Sequence, residues 1–411
     1  MRKQFKGALA AMVAFSFVAA ACGDDESSSD TTKAPAETTA PDETTAPDET
    51  TAPDETTGTE TTTAVGECTE MTPVNLQLQW VTQAQFAGYY AAVDQGYYEA
   101  MCLDVTILEG AVDITPQDVL ANGDADFAIS WVPKALASRE AGADIVDIAQ
   151  VFQRSGTLQV SFADSGITSP ADYAGKNIGN WGFGNEFEVF AAMTKAGIDP
   201  ASVNNVAQQF DMVGLLEGDI DAAEAMTYNE YAQVLEAINP DTGELYTPED
   251  FNVISYEEEG VGMLQDAIWA DGSRLGDEAY KNTAISFVAG SLQGWAYCRD
   301  NVEACAELVT NQGSALGLTH QTWQMNEVNK LIWPAEGGVG FIDQAAWDRT
   351  AQLALETKNL EGTTVLTAAP DAEAYTNDIV TAAHALLEEM GIDIFGADYA
   401  PIDVTLTVGG V

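Results

Sequence analysis

Leu76–Tyr98, LQLQWVTQAQFAGYYAAVDQGYY, carries the most informative pattern in the chain. A strand ends in Trp80, a polar turn follows, and a short helix starts at Phe86. In parallel α/β folds, ligands sit outside the carboxyl ends of the strands. Trp80 and the turn Gln83–Phe86, with Gln85 inside it, are therefore expected to line a pocket for a flat ligand.

Outward from this stretch the pattern alternates. Val74–Trp80, Leu103–Leu108, Asp126–Ser130 and Ile145–Phe152 read as strands, and Phe86–Gln95, Pro116–Asn122 and Pro133–Ala141 as helices between them. That order predicts a parallel sheet wrapped by helices. A second unit repeats it, with Asn177–Trp181, Val203–Gln208 and Ala222–Met226 set among the segments Glu186–Ala196, Asp211–Glu217 and Tyr228–Ala237. From Asp277 onward the apolar spacing is helical, and this block is expected to pack back on the first unit. The reading is an α/β chain of two lobes, lobe I being 67–163 with 258–411 and lobe II 164–257. Two crossings, near Ala163 and Glu258, make a hinge with a ligand cleft between the lobes.

Composition narrows the partners. The 411 residues include 65 acidic and 15 basic side chains, a formal charge of -50, which disfavours nucleic acid or an anionic lipid surface. Arg2, Lys3 and Lys6 precede an apolar run, Ala8–Ala21, too short to span a membrane comfortably, so 1–21 reads as an export signal. The junction Ala19-Ala20-Ala21-Cys22-Gly23 resembles a bacterial lipoprotein processing site, with Ala19 where Leu is usual, which would make Cys22 a lipidated first residue. Residues 22–66 are rich in Ser, Thr, Pro and acid, and Glu-Thr-Thr-Ala-Pro-Asp recurs from Glu37, Glu43 and Glu49. Such a segment holds too little apolar surface to order itself; as an extended tether it reaches about 100 Å at about 3.1 Å per residue.

The remaining cysteines, Cys68, Cys102, Cys298 and Cys305, form an even set in an exported chain, which favours disulfides. Cys68 and Cys102 each precede an expected strand, and Cys298 and Cys305 flank a helix end and restart, so the pairs 68–102 and 298–305 are preferred. A metal site is disfavoured, since no CxxC occurs and His320 and His384 are the only histidines.

Aromatic and amide side chains dominate the expected strand mouths. Phe86, Tyr89, Tyr90, Val93 and Tyr97 fall at helical spacing, which for Tyr90 and Tyr97 favours a core role, whereas Trp80 sits beside a polar turn. Ser130-Trp131 ends the third strand, and Trp181-Gly182-Phe183-Gly184-Asn185-Glu186 joins a strand to a helix. Its glycines let a ligand approach the backbone, but a lone GxG lacks the spacing of a dinucleotide fingerprint. Tyr228-Asn229-Glu230 follows another strand; Asn229 either caps a helix or, with Glu230, pairs with ring nitrogens and an exocyclic amine. Gln265 and Asp266 complete the ligand-binding set. Near the strand mouths only Lys134 and Arg154 offer a cation, which disfavours an anion, although Lys134, in a helical turn beyond Trp131, could still reach one. No nucleophile, base and orienting group cluster as catalysis requires.

With those residues assembled, Val74 to about Asp393 resembles the substrate-binding lipoproteins of ABC importers in the SsuA-like, thiamine-pyrimidine-precursor family. The resemblance rests on WVTQAQFAGYY from Trp80, GDADF from Gly123, GKNIG from Gly175, GDIDA from Gly218, Tyr228-Asn229-Glu230 and GWAYCRD from Gly294. It implies a type II periplasmic-binding-protein fold that closes on its ligand and docks, as a monomer without cofactor, on a permease with a cytoplasmic ATPase. It further implies an exported protein, lipid-anchored to the outer face of the cytoplasmic membrane, that carries a thiamine pyrimidine precursor and breaks no bond. Riboflavin is the alternative ligand, followed by a sulfonate such as taurine. Fungal pyrimidine synthases share the fold, but the positions of their pyridoxal-binding lysine and substrate histidine correspond here to Ser130 and Lys134. The segment Glu259–Met263 holds no cysteine-rich iron site.

Overall fold

Two sheets of matching strand order form the framework. In chain order the strands are β1 (Thr72–Gln77), β2 (Leu103–Leu108), β3 (Phe127–Trp131), β4 (Ile145–Gln150) and β5 (Thr157–Phe162). They continue with β6 (Asn177–Asn180), β7 (Asn204–Ala207), β8 (Ala223–Met226), β9 (Phe251–Ser255) and β10 (Asp266–Asp271). The structure, a computed structural model, describes Cys68 and residues 70–411; the expected export signal, tether and lipidated Cys22 lie outside them. Among the described residues no helix is long and apolar enough to cross a membrane.

Sheet one runs β2-β1-β3-β10-β4, with β1 parallel to β2 and β3, and β10 antiparallel to both its neighbours. On the other side β8-β5-β9 pair antiparallel, and the parallel pair β6-β7 joins β8 through a bridge between Ile178 and Ala222. The second order is thus β7-β6-β8-β5-β9, the same plan as the first. One clamp recurs in both. Asp126 accepts the Asn75 amide at 3.0 Å while its own N–H donates to the Asn75 carbonyl. Asp221 does the same with Asn177, at 2.7 Å. Each aspartate ends a Gly-Asp-x-Asp turn whose glycine, Gly123 or Gly218, has positive φ.

Three expectations change. The sheets are mixed rather than parallel, because β5 and β10 run against their neighbours. The division at 163/164 would assign β5 to lobe I, yet β5 pairs with β8 and β9, so the first crossing precedes Thr157. Trp80 lies beyond the strand, which stops at Gln77. The turn bends back instead, and the Gly110 N–H donates to the Trp80 carbonyl at 3.0 Å.

The helical block packs mainly on lobe I. The helix Glu278–Asp300 lies against Ala87–Asp94 so closely that a Cβ on Gly88 would stand 2.2 Å from the Trp295 ring, and one on Gly294 2.0 Å from the Gly88 carbonyl. Phe127 of β3 stacks on Phe287 of the long helix at 4.4 Å. The block also reaches lobe II, which the expectation left out. At the start of the helix Leu318–Ile332, the two ring nitrogens of His320 face Glu236 at 2.9 Å and Asn229 at 3.0 Å. Trp323 donates to the Thr227 carbonyl at 3.0 Å. Residues 399–411 follow this helix, with Ile402 N–H on Asn326 and Gly409 N–H on the Glu236 carbonyl. Disulfides join Cys68 to Cys102 and Cys298 to Cys305.

Candidate functional site

The loops at the carboxyl ends of β1, β3, β6 and β8 enclose a cavity of about 550 Å³. Lobe I contributes Gln79, Trp80, Gln83, Gln85, Trp131 and Lys134, and lobe II Trp181, Gly184, Asn185, Tyr228, Asn229 and Glu230. Aromatic rings meet across the cleft. Trp80 lies 5.0 Å from Phe210, which in turn lies nearly parallel to Trp181 at 6.4 Å. Phe183 stands at the wall with 86% of its surface exposed and a φ of 53°, between Gly182 and Gly184, both also of positive φ. A bulky residue in that region is uncommon and costs about 1–3 kcal/mol.

Other expected site residues stand behind the wall. Phe86 and Tyr89 are buried in the lobe I core, Tyr89 edge-on to Trp295 at 5.6 Å, because their helix turns that face inward. Ser130 accepts from Gln117 at 2.6 Å, and Glu186 accepts the Gly184 N–H at 2.9 Å. Gln265 braces the two crossings, its carbonyl taking the Gly156 N–H at 2.9 Å and its amide donating to Thr157 at 2.8 Å. Asp266 is buried beneath the site and accepts from Gln79 at 2.5 Å, Trp131 at 2.7 Å and Gln85 at 3.0 Å. Asn229 makes no helix cap; its amide N–H donates to Glu230 at 2.8 Å and its carbonyl faces His320. Glu230 also accepts the Met226 N–H at 3.0 Å.

Sequence reading missed Gln79, Phe183 as a wall residue, Phe187 and Phe210. Phe183 sits inside the quoted glycine loop and was within reach, since a large aromatic between two glycines in an exposed turn has no core to enter. Phe210 comes from a loop after β7 that carries no local signal.

Charge in the site is carboxylate-rich. Burial pushes the Asp266 carboxyl up to about 7 against the downward pull of Gln85, Trp131, Gln79 and Lys134. Burial also raises the carboxyls of Glu224 and Glu230. Lys134, whose Nζ lies 4.9 Å from the Trp131 ring centre, is the one cation on the wall among the described residues. Desolvation lowers it to about 8, against the pull of Glu224, Glu186 and Asp266. Arg154 lies off the wall and spends its guanidinium on main-chain carbonyls, including Pro334 at 2.7 Å. Among the described residues no group of three or more His, Cys, Asp or Glu converges as a metal would require. The site can stack a planar ring and meet its edge with amides.

Two mixed sheets of one plan, joined by two crossings and facing each other over a cavity, define a periplasmic-binding-protein fold of type II. A family model described as "NMT1/THI5 like" matches residues 83–304, and the chain belongs to that family. It is similar to the formylaminopyrimidine-binding protein of Halalkalibacterium halodurans, 24% identical over 281 residues, 67% of this chain and 82% of that one. It is also similar to the riboflavin-binding protein RibY of Chloroflexus aurantiacus, 25% identical over 320 residues, 75% of this chain and 86% of that one. Among solved structures, a periplasmic sulfonate-binding protein SsuA of Methylobacillus flagellatus superposes with a TM-score of 0.54 at 15% identity, over 82% of this chain and 99% of that one. The last likeness concerns the fold alone.

Proposed function

We propose that this chain is the extracytoplasmic solute-binding component of an ABC importer and that its ligand is an uncharged aromatic heterocycle of the aminopyrimidine class. The observation that carries the reading is the wall itself: indoles from both lobes, phenyl rings from lobe II, amide groups between them and, among the described residues, a single lysine and the Glu230 carboxyl. Stacking contributes about 1–3 kcal/mol per ring, and the amides select the ring edge. Similarity to a formylaminopyrimidine-binding protein supports the same class. Closure of the lobes about the crossings at 151–156 and 256–265 would present the liganded form to a permease. Cys22 would anchor the chain to the membrane, and no chemical step is needed.

Flavin is the second reading, favoured by one observation: about 550 Å³ lies within the range for ligands larger than a single ring. A sulfonate is disfavoured, because among the described residues Lys134 is the one cation at the cavity where an anion would want a cluster of donors. The test is a thermal-shift and calorimetric panel of a 4-aminopyrimidine, riboflavin, taurine and pyridoxal phosphate. The expected result is stabilisation by the aminopyrimidine of about 2.7 kcal/mol at a hundred times its Kd. Stabilisation by riboflavin alone would replace the first reading with the second; a Schiff-base absorbance with pyridoxal phosphate would overturn both.

A further inference from the structure

Beneath the lobe I wall, three side-chain N–H groups converge on the carboxylate of Asp266. They come from Gln79 at 2.5 Å, Trp131 at 2.7 Å and Gln85 at 3.0 Å. Gln83 extends the chain, donating its amide N–H to the Gln85 carbonyl at 2.6 Å. Above about pH 7, where its raised carboxyl is ionised, Asp266 accepts only. It therefore fixes the direction of each amide linked to it: nitrogen toward Asp266, carbonyl away. Gln85 must point its N–H inward, its carbonyl must take the N–H of Gln83, and Gln83 is left with its own carbonyl facing out.

Gln79 and Gln83 both line the cavity, and among the described residues neither side-chain carbonyl has a protein partner. The same carboxylate occupies the Trp131 indole N–H, so that ring is available for stacking and its N–H is not free for a ligand acceptor.

We infer that Asp266, which does not line the cavity, is a positioning residue that sets the hydrogen-bond polarity of the pocket, turning the Gln79 and Gln83 carbonyls toward a ligand edge that donates N–H. This rests on the reading above and assigns recognition of the exocyclic amine to the Gln79 and Gln83 carbonyls. A ring with a carbonyl at the same position leaves two acceptors facing a third and is rejected, because unmatched polar groups in a desolvated site discriminate strongly.

The experiment uses two probes of one shape, 4-amino-2-methylpyrimidine and its 4-oxo counterpart, titrated calorimetrically into the full chain at about pH 8.5, where Asp266 is ionised. Wild type is expected to favour the amino probe at least tenfold. In Asp266→Asn the side chain can donate as well as accept, the amides lose their fixed direction, and the preference is expected to shrink at least fivefold. A merely structural role for Asp266 would weaken both probes alike and leave their ratio unmoved. Gln83→Met keeps Asp266 and its three donors and removes one outward carbonyl, so it guards against misfolding of the first variant. It should weaken the amino probe about tenfold and the oxo probe little.

Equal binding of the two probes by wild type, or an unchanged ratio in both variants, overturns the inference while leaving a pyrimidine receptor standing. If wild type binds neither probe, the pyrimidine reading fails, and the inference with it.

Discussion

Trp80 and Trp181 look alike in sequence, each an indole after a strand, yet the structure separates them. Trp80 is partly exposed and touches Phe210 across the cleft, whereas Trp181 is buried among core residues. Trp80→Ala should therefore weaken ligand binding by about 1–3 kcal/mol with little change in the melting temperature of the empty protein. Trp181→Ala should lower both, measurable by calorimetry and thermal melting on the same sample. The indoles were legible because large aromatics beside turns stand out in a sequence; the burial of Trp181 was not, because it rests on packing among core residues distant along the chain.

Titration follows the same logic of local surroundings. Burial holds Glu188 at about 7, as it does Asp266, and raises Glu224. Ordinary carboxyls in an unfolded chain titrate near 4, so between about pH 4 and 7 the folded form binds more protons than the unfolded one. Stability then falls as pH rises through that window. The ligand-free protein should melt higher at pH 5.5 than at pH 7.5, and Glu188→Gln should shrink the difference. An unshrunken difference would assign it to the acidic surface instead.

Helices and parallel strands were read well from apolar spacing, but β5, β9 and β10 were not. β5, TLQVSF, is almost wholly buried and carries polar side chains inside, Gln159 donating to the Gly179 carbonyl at 3.1 Å and Ser161 to the Ile167 carbonyl at 3.2 Å. Internal partners remove the contrast between faces on which a period-2 reading depends. β10, DAIWAD, is bracketed by acids that resemble a solvent boundary, although Asp266 is buried under the ligand wall. A prediction follows from the packing of Glu278–Asp300 on Ala87–Asp94. In Gly88→Ala the new methyl meets the Trp295 ring at 2.2 Å, and overpacking of this kind costs about 1–3 kcal/mol. Denaturant melts should register the loss even though Ala is the better helix former.

The two-lobed plan was legible as a whole, since its repeat of strand and helix appears twice along the chain. The tie between the lobes was not, because it comes from residues far along the sequence, His320 and the segment 399–411, gathered around Glu236. Removing residues 404–411 should make the empty protein more open, read as a larger radius of gyration by small-angle scattering, and less stable by about 1–3 kcal/mol. Unchanged dimensions would show that the segment rides passively. The placement of β10 has a separate outcome for biogenesis. Every strand of the second sheet lies between residues 157 and 255, while the first sheet keeps a gap between β3 and β4 until residues 266–271 arrive. A polypeptide emerging amino-terminus first can thus finish its later half before its earlier one, and for that interval β3 offers an unpaired edge to any chaperone or neighbouring nascent chain.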